Sequence, residues 1–255
     1  MKILYLANNK LGWKIGQWLK NNTEDEIVGL VLHSESKRKY GAEILNTFNL
    51  SDDVIFDGSK LREDETRQAI SQLRADIALS IFFGYILKPN FIALFPEGVI
   101  NLHPSYLPYN RGSYPNVWSI IEETPAGATL HYIDAGIDTG SIIAQKQVEV
   151  EPIDTGGTLY SKLEQASYDV FIESWAAIRK EKNPRIKQPL KEGTSHRIKD
   201  VQSIDPINLD ATYTARQLLN ILRARTFPPH RGAYFIAEDG RRVNIRVELE
   251  YDDED

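Results

Sequence analysis

Asn101, His103 and Asp138 are the residues of this chain whose types and spacing have a specific chemical use. The first two stand two apart in VINLHPSYLPYNRG, and alternate residues of an extended strand project to the same face. An asparagine amide donates to an oxygen that is becoming an anion, while a histidine moves a proton and a nearby aspartate orients that histidine. Asp138 follows in AGIDTGSIIAQKQVEV, after the strand-like ATLHYID, so one cleft can hold all three. The chemistry is group transfer without metal or cysteine.

Plainer uses compete with this one. Taken alone, His103 reads as a hydrogen-bonded core histidine, and it is the company of Asn101, Asp138 and LPYNRG that makes it chemical. By residue type His33, His131 and His196 read as packing or backbone-bonding groups, and Gly84 as a tight turn. Arg111 can hold its own loop through an ion pair, and the terminal YDDED reads as a solvated end.

The elements that must position the three follow from periodicity. MKILYLA, EIVGLVLH, DVIFD, DIALSIFF and VINLH read as strands; GWKIGQWLKN, KRKYGAEILNTF and REDETRQAISQLRA read as the helices between them. Such alternation predicts an α/β fold with a mostly parallel, doubly wound, Rossmann-like sheet, whose ligands sit at the carboxyl ends of the strands. SIFFGYI and NLHPSYLP both finish there. GATLHYID and SIIAQKQVEV read as an added antiparallel pair flanking the Asp138 loop. A capped start at Asp154 opens a long helix with Leu159, Leu163, Ala166 and Val170 on one face, closing near Lys180. KEKNPRIKQPLKEGTS reads as a linker or extended arm, TYTARQLLNILRA as a short helix, and GAYFIAEDGRRVNIRVELEY as a hairpin turning at Glu238-Asp239-Gly240. The expected division is a catalytic domain over 1–185 and a small C-terminal helix-and-hairpin domain over 186–255.

Composition bounds the function. The chain has 255 residues, 42% of them hydrophobic, and a formal net charge of −6, which argues against a partner as polyanionic as a nucleic acid. No cysteine is present, which suits a reducing compartment. No apolar run approaches a membrane span and MKILYLANNK lacks the form of a signal peptide, so a cytoplasmic protein is expected.

The ordered set of Asn-x-His, SYLPYNRG and GIDTG resembles the folate-dependent formyltransferase family, from Met1 to roughly Lys180. Its members move a formyl group from N10-formyltetrahydrofolate to an amine. The resemblance implies that Asn101, His103 and Asp138 are the catalytic trio. It also implies that the loop Phe83, Gly84, Tyr85, Ile86 and Leu87, with Asp134, Ala135, Gly136 and Ile137, lines the folate site. Asn101 then stabilises the oxyanion, a contribution of about 2.7–4 kcal/mol to the barrier, His103 carries the amine proton to N10, and Asp138 fixes the histidine tautomer.

For the acceptor, GTSHRIKD and ILRARTFPPHRGAYF are similar to the carboxyl-terminal segment of sugar N-formyltransferases. The resemblance implies a UDP- or dTDP-linked 4-amino-4,6-dideoxy sugar of bacterial surface glycan synthesis, and a possible homodimer. Tyr109, Asn110, Arg111, Tyr114, Trp118, His196 and Arg197 are the candidate contacts: arginine pairs with a diphosphate and aromatic faces stack on a base or sugar. Glycinamide ribonucleotide formyltransferases differ in their amino-terminal glycine-rich phosphate loop, replaced here by LANNKLGWKIG, and methionyl-tRNA formyltransferases in a larger C-terminal barrel. A formyltetrahydrofolate hydrolase would use a similar trio behind an extra amino-terminal domain, whereas MKILYLA begins the sheet at residue 1. A non-catalytic folate-binding protein would have no use for the three residues together.

Overall fold

Runs of buried aliphatic residues build the central sheet. In a computed structural model that describes residues 1–252, the elements in chain order are β1 (Lys2–Ala7), α1 (Asn9–Asn22), β2 (Glu26–Leu32), α2 (Gly41–Phe48), β3 (Ile55–Asp57), α3 (Asp64–Gln72), β4 (Ile77–Ile81), α4 (Pro89–Ile92), β5 (Val99–His103), β6 (Arg111–Gly112), α5 (Pro115–Ile121), β7 (Ala126–Tyr132), β8 (Ile142–Val148), α6 (Gly156–Arg179), β9 (Ser195–His196), α7 (Ile198–Ile204), α8 (Ala215–Ala224), β10 (Tyr234–Ile236) and β11 (Arg242–Asn244). Of the YDDED tail, Tyr251 and Asp252 are exposed and residues 253–255 lie outside the described residues.

The sheet has the order β3-β2-β1-β4-β5-β7-β8. β1 pairs in parallel with both β2 and β4, and β2 with β3 and β4 with β5 likewise. Every residue of β4 is buried, as continuous apolar strands covered on both faces require. β7 runs against β5, since Ile133 N–H donates to Val99 O at 2.8 Å while Asn101 lies opposite His131. β7 and β8 are also antiparallel: Tyr132 N–H reaches Ser141 O at 2.9 Å, and Gly127 lies against Lys146. The expected α/β fold, with its added antiparallel pair and C-terminal helix and hairpin, is the fold observed.

Chain contacts divide the protein into two compact units, each assembled from separated segments. One comprises Met1–His103, Leu130–Ala144 and Val170–Gln188; the other comprises Pro104–Thr129, Gln145–Asp169 and the chain from Pro189. The first is built on a core that includes Leu4, Leu6, Val31, Ala78, Phe91 and Val99, and the second on Val117, Trp118, Ile120, Leu159, Leu163 and Val201. α1 buries Leu11, Ile15 and Leu19 at helical spacing in the first unit.

Boundaries depart from the sequence reading where backbone conformation intervenes. β4 stops at Ile81 because Phe82 takes a left-handed φ of 52°, which ends the strand before the Phe83–Leu87 loop. α2 starts only at Gly41, after Tyr40 at φ 56°. The start of α6 is capped by Thr155 and Thr158, each side chain accepting from the other's backbone N–H at 3.2 and 2.9 Å. Asp154 stands just outside, accepting from Glu151 N–H, Thr158 Oγ1 and Lys162 Nζ. Leu159, Leu163, Ala166 and Val170 are buried as expected. The arm after α6 is extended but fastened: Ile186 exchanges two backbone hydrogen bonds with Ile142, of 2.8 and 2.9 Å. In the hairpin, Gly240 supplies the φ of 82° that the turn needs. Among the described residues no helix is long and apolar enough to cross a membrane.

Candidate active site

β5 delivers Asn101 and His103 to one face at the carboxyl end of the sheet, in the first unit. Asp138 meets them from the β7–β8 loop, its φ of 52° turning the carboxylate back toward the strands. The Asp138 Oδ2 lies 3.5 Å from His103 Nε2, and Oδ1 lies 3.6 Å from Nε2 of a second histidine, His131. His103 Nε2 is buried and has no in-line hydrogen-bond partner, so its contact with Asp138 is electrostatic. A proton-transfer nitrogen is thus available beside a fixed anion.

Two residues that residue type alone did not single out hold Asn101. Ser80 Oγ donates to Asn101 Oδ1 at 3.0 Å, which fixes which end of the amide is nitrogen. Asn101 Nδ2 then faces His131 Nε2 at 3.1 Å. His131 Nδ1 lies 2.8 Å from its neighbour's carbonyl, Tyr132 O, and so carries the hydrogen; Nε2 is left to accept from Asn101. Burial pushes the His131 pKa below its usual value, with the His103 ring adding to the fall and the Asp138 carboxylate opposing it. A neutral His131 suits the acceptor role. An amide carries two hydrogens, and His131 occupies one. The backbone bond was the expected use of His131; its grip on Asn101 was not, because no pattern in GATLHYID distinguishes it.

The Phe83–Leu87 loop is anchored from beneath. Phe83 and Leu87 are buried in the core, Tyr85 packs against it, and Ile86 is exposed. Gly84 N–H donates to His33 Nε2 at 3.0 Å, and a Cβ at position 84 would come within 3.3 Å of the His33 ring. The nearest neighbour of Gly84 is therefore the His33 ring, which also packs on Phe83 and Tyr85. Across the Asp138 loop, Asp134 Oδ1 accepts from Gly136 N–H at 3.0 Å and Thr139 Oγ1 at 2.5 Å, leaving Ala135, Gly136 and Ile137 exposed at the tip. Among the described residues no group of three or more His, Cys, Asp or Glu side chains is arranged to hold a metal.

With this geometry, residues 1–174 match the formyl transferase family and residues 200–251 match the N-formyltransferase dimerization C-terminal domain. The chain belongs to the formyl transferase family. It is 37% identical to a dTDP-4-amino-4,6-dideoxyglucose formyltransferase of Mycobacterium tuberculosis over 179 residues, covering 69% of this chain and 74% of that one. A 4-N formyltransferase from Francisella tularensis superposes with a TM-score of 0.85 at 28% identity, over 98% of each chain. A formyltransferase from Anoxybacillus kamchatkensis, solved with UDP-4,6-dideoxy-4-formamido-L-AltNAc and tetrahydrofolate, is 33% identical, covers 80% of this chain and 89% of that one, and has a TM-score of 0.57.

In this formyl transferase the residues expected to meet an acceptor gather in the second unit. β6 pairs in parallel with β9, so Arg111 lies beside Ser195 and Gly112 beside His196, uniting the LPYNRG loop with GTSHR. Trp118 and His196 stack face to face at 3.9 Å and 9°, each covering one face of the other. His196 Nε2 is 2.9 Å from Glu122 Oε1. Arg111 Nη1 lies 3.5 Å from the Leu190 carbonyl. Tyr109 takes part in a turn with Tyr106, while Tyr114 and Arg197 are exposed. Asn110 differs from the rest: it has no exposed surface and spends its amide on Ser119, Thr124 and Thr194. It shapes the loop from inside.

Proposed function

We propose that the protein transfers a formyl group from N10-formyltetrahydrofolate to the amine of a dTDP- or UDP-linked 4-amino-4,6-dideoxy sugar, in the cytoplasm, during bacterial surface glycan synthesis. Family membership supports the reaction class, and the relatives named for 4-amino sugars support the acceptor. The observation that carries the catalytic assignment is the buried His103 Nε2, without an in-line partner and 3.5 Å from the Asp138 carboxylate.

The folate supplies the formyl carbon. His103 takes a proton from the attacking amine and returns it to N10 as the carbon–N10 bond breaks. Asn101, held by Ser80 and His131, donates its remaining N–H to the formyl oxygen as that oxygen gains charge, an interaction worth about 2.7–4 kcal/mol of barrier. Asp138 steadies the imidazolium while it exists. Phe83–Leu87 and Asp134–Ile137 hold the pterin, with backbone groups meeting its polar edge. Arg111, Tyr109, Tyr114, His196 and Arg197 serve the nucleotide sugar, and the buried Trp118 backs the His196 ring. In this reading residues 1–185 form the catalytic domain, residues 186–255 the auxiliary one, and the C-terminal match supports a homodimer.

Incubation with N10-formyltetrahydrofolate and a panel of UDP- and dTDP-amino sugars, following tetrahydrofolate release and product mass, tests the proposal. One sugar should gain a formyl group, and His103→Asn should abolish that gain while leaving the fold and folate binding intact. Folate turnover without a formylated sugar would make the protein a hydrolase instead.

A further inference from the structure

Gln188 lies in the extended arm after α6, in the same unit as the trio, and only 9% of its surface is exposed. Its Nε2 donates to two carbonyls of the β7–β8 loop, Asp138 O at 2.9 Å and Gly140 O at 2.7 Å. Two carbonyl acceptors on one side-chain atom require that atom to be the amide nitrogen, with one hydrogen for each. The two carbonyls flank a turn whose Asp138 sits at φ 52°, a conformation that costs a non-glycine residue about 1 kcal/mol or more unless its surroundings over-determine it.

The arm is itself held in place, because Ile186 and Ile142 exchange backbone hydrogen bonds two residues before Gln188 and two after Gly140. The Asp138 turn is therefore bounded by β7 on one side and clamped by a foreign segment on the other. Opening it would break both of these hydrogen bonds, at a net cost of about 0.5–1.5 kcal/mol each.

We infer that Gln188 is a positioning residue of the reaction: by clamping the carbonyls of Asp138 and Gly140 it holds the Asp138 carboxylate against His103 and His131. The catalytic half of this inference rests on the proposed transferase reading; the clamp itself does not.

The test uses the full chain carrying Gln188→Leu, which removes both donors, and Gln188→Glu, which keeps the shape but turns oxygens toward the carbonyls. Amide hydrogen exchange read by mass spectrometry should show peptides over 134–142 exchanging at least tenfold faster in either variant, with β1 and β4 peptides unchanged. With a sugar that the wild type formylates, kcat should fall at least tenfold. In an Asp138→Asn background, read in long incubations, Gln188→Leu should change the residual kcat by less than twofold, because residues acting as one unit are not additive. Unchanged loop exchange overturns the clamp. An equal fold-loss in both backgrounds overturns the action through Asp138 and leaves Gln188 a packing residue. If the wild type formylates no sugar, the transferase reading fails, and the exchange result still decides the clamp.

Discussion

At the scale of single residues, the site is a short polar chain inside an apolar sheet. Ser80, Asn101 and His131 are linked by bonds of 3.0 and 3.1 Å, and each has one productive orientation because its neighbours are fixed. The convergence of Asn101, His103 and Asp138 on one place was legible from spacing, since a strand puts alternate residues on one face and a glycine-flanked loop can return an acid. Ser80 and His131 were not, because a serine and a histidine in buried strands carry no local signature of what lies beside them. The histidines also set a pH dependence. Burial, then Lys37, lowers the His33 pKa below its ordinary 6.5 against the opposing pull of Asp57, and burial lowers that of His131. A group that binds protons less readily when folded leaves the unfolded chain holding more of them as the pH drops, so its contribution to stability is full above the unfolded value and declines below it. Urea midpoints should therefore decrease from about pH 7.5 to about pH 5.5, and His33→Gln, whose amide oxygen can accept the Gly84 N–H without titrating, should flatten part of that slope. A variant with an unchanged slope would show that His33 is not a source of it.

At the scale of elements, the parallel strands and the helix α6 followed closely from apolar period, whereas short pieces did not. α7 and the two-residue pair β6–β9 were missed: seven residues give too little periodicity, and a two-residue pairing between Arg111 and Ser195 depends on contacts 84 residues apart, as the bond from Asn110 N to Thr194 shows. The loop LPYNRG was read as a set of ligands, yet its Asn110 serves the loop's interior. The reciprocal Thr155–Thr158 cap gives α6 a defined start, and Thr155→Ala should lower the unfolding free energy by about 1 kcal/mol in urea titration. A loss under a few tenths would mean that Asp154 and its Lys162 contact define the helix start without it.

At the scale of the whole molecule, sequence order and compactness diverge. α6 contributes its first half to one unit and Val170–Arg179 to the other, so no single cut in the chain separates them. Periodicity reports elements in order and says nothing of which segments return to a common core; the proposed division near residue 185 rests on the linker composition of KEKNPRIKQP. The C-terminal match to a dimerization domain brings a prediction of its own. Ile236 and Val243 of the hairpin are 54% and 39% exposed, and replacing both with aspartate should yield a monomer by light scattering if they lie in the interface of the proposed homodimer. A dimer that survives the double substitution would move the interface elsewhere on the C-terminal segment.

The fastening of the arm also has a meaning in time. Asn101, His103 and Asp138 have all been synthesised when the chain reaches residue 138, yet the amide that clamps their loop arrives 50 residues later. A nascent or nicked chain that ends short of Gln188 would carry the three side chains of the proposed trio and still lack the clamp on the Asp138 turn. Translation thus reaches the last part needed for the Asp138 turn only after α6 is complete, which makes competence a late step in the birth of the protein.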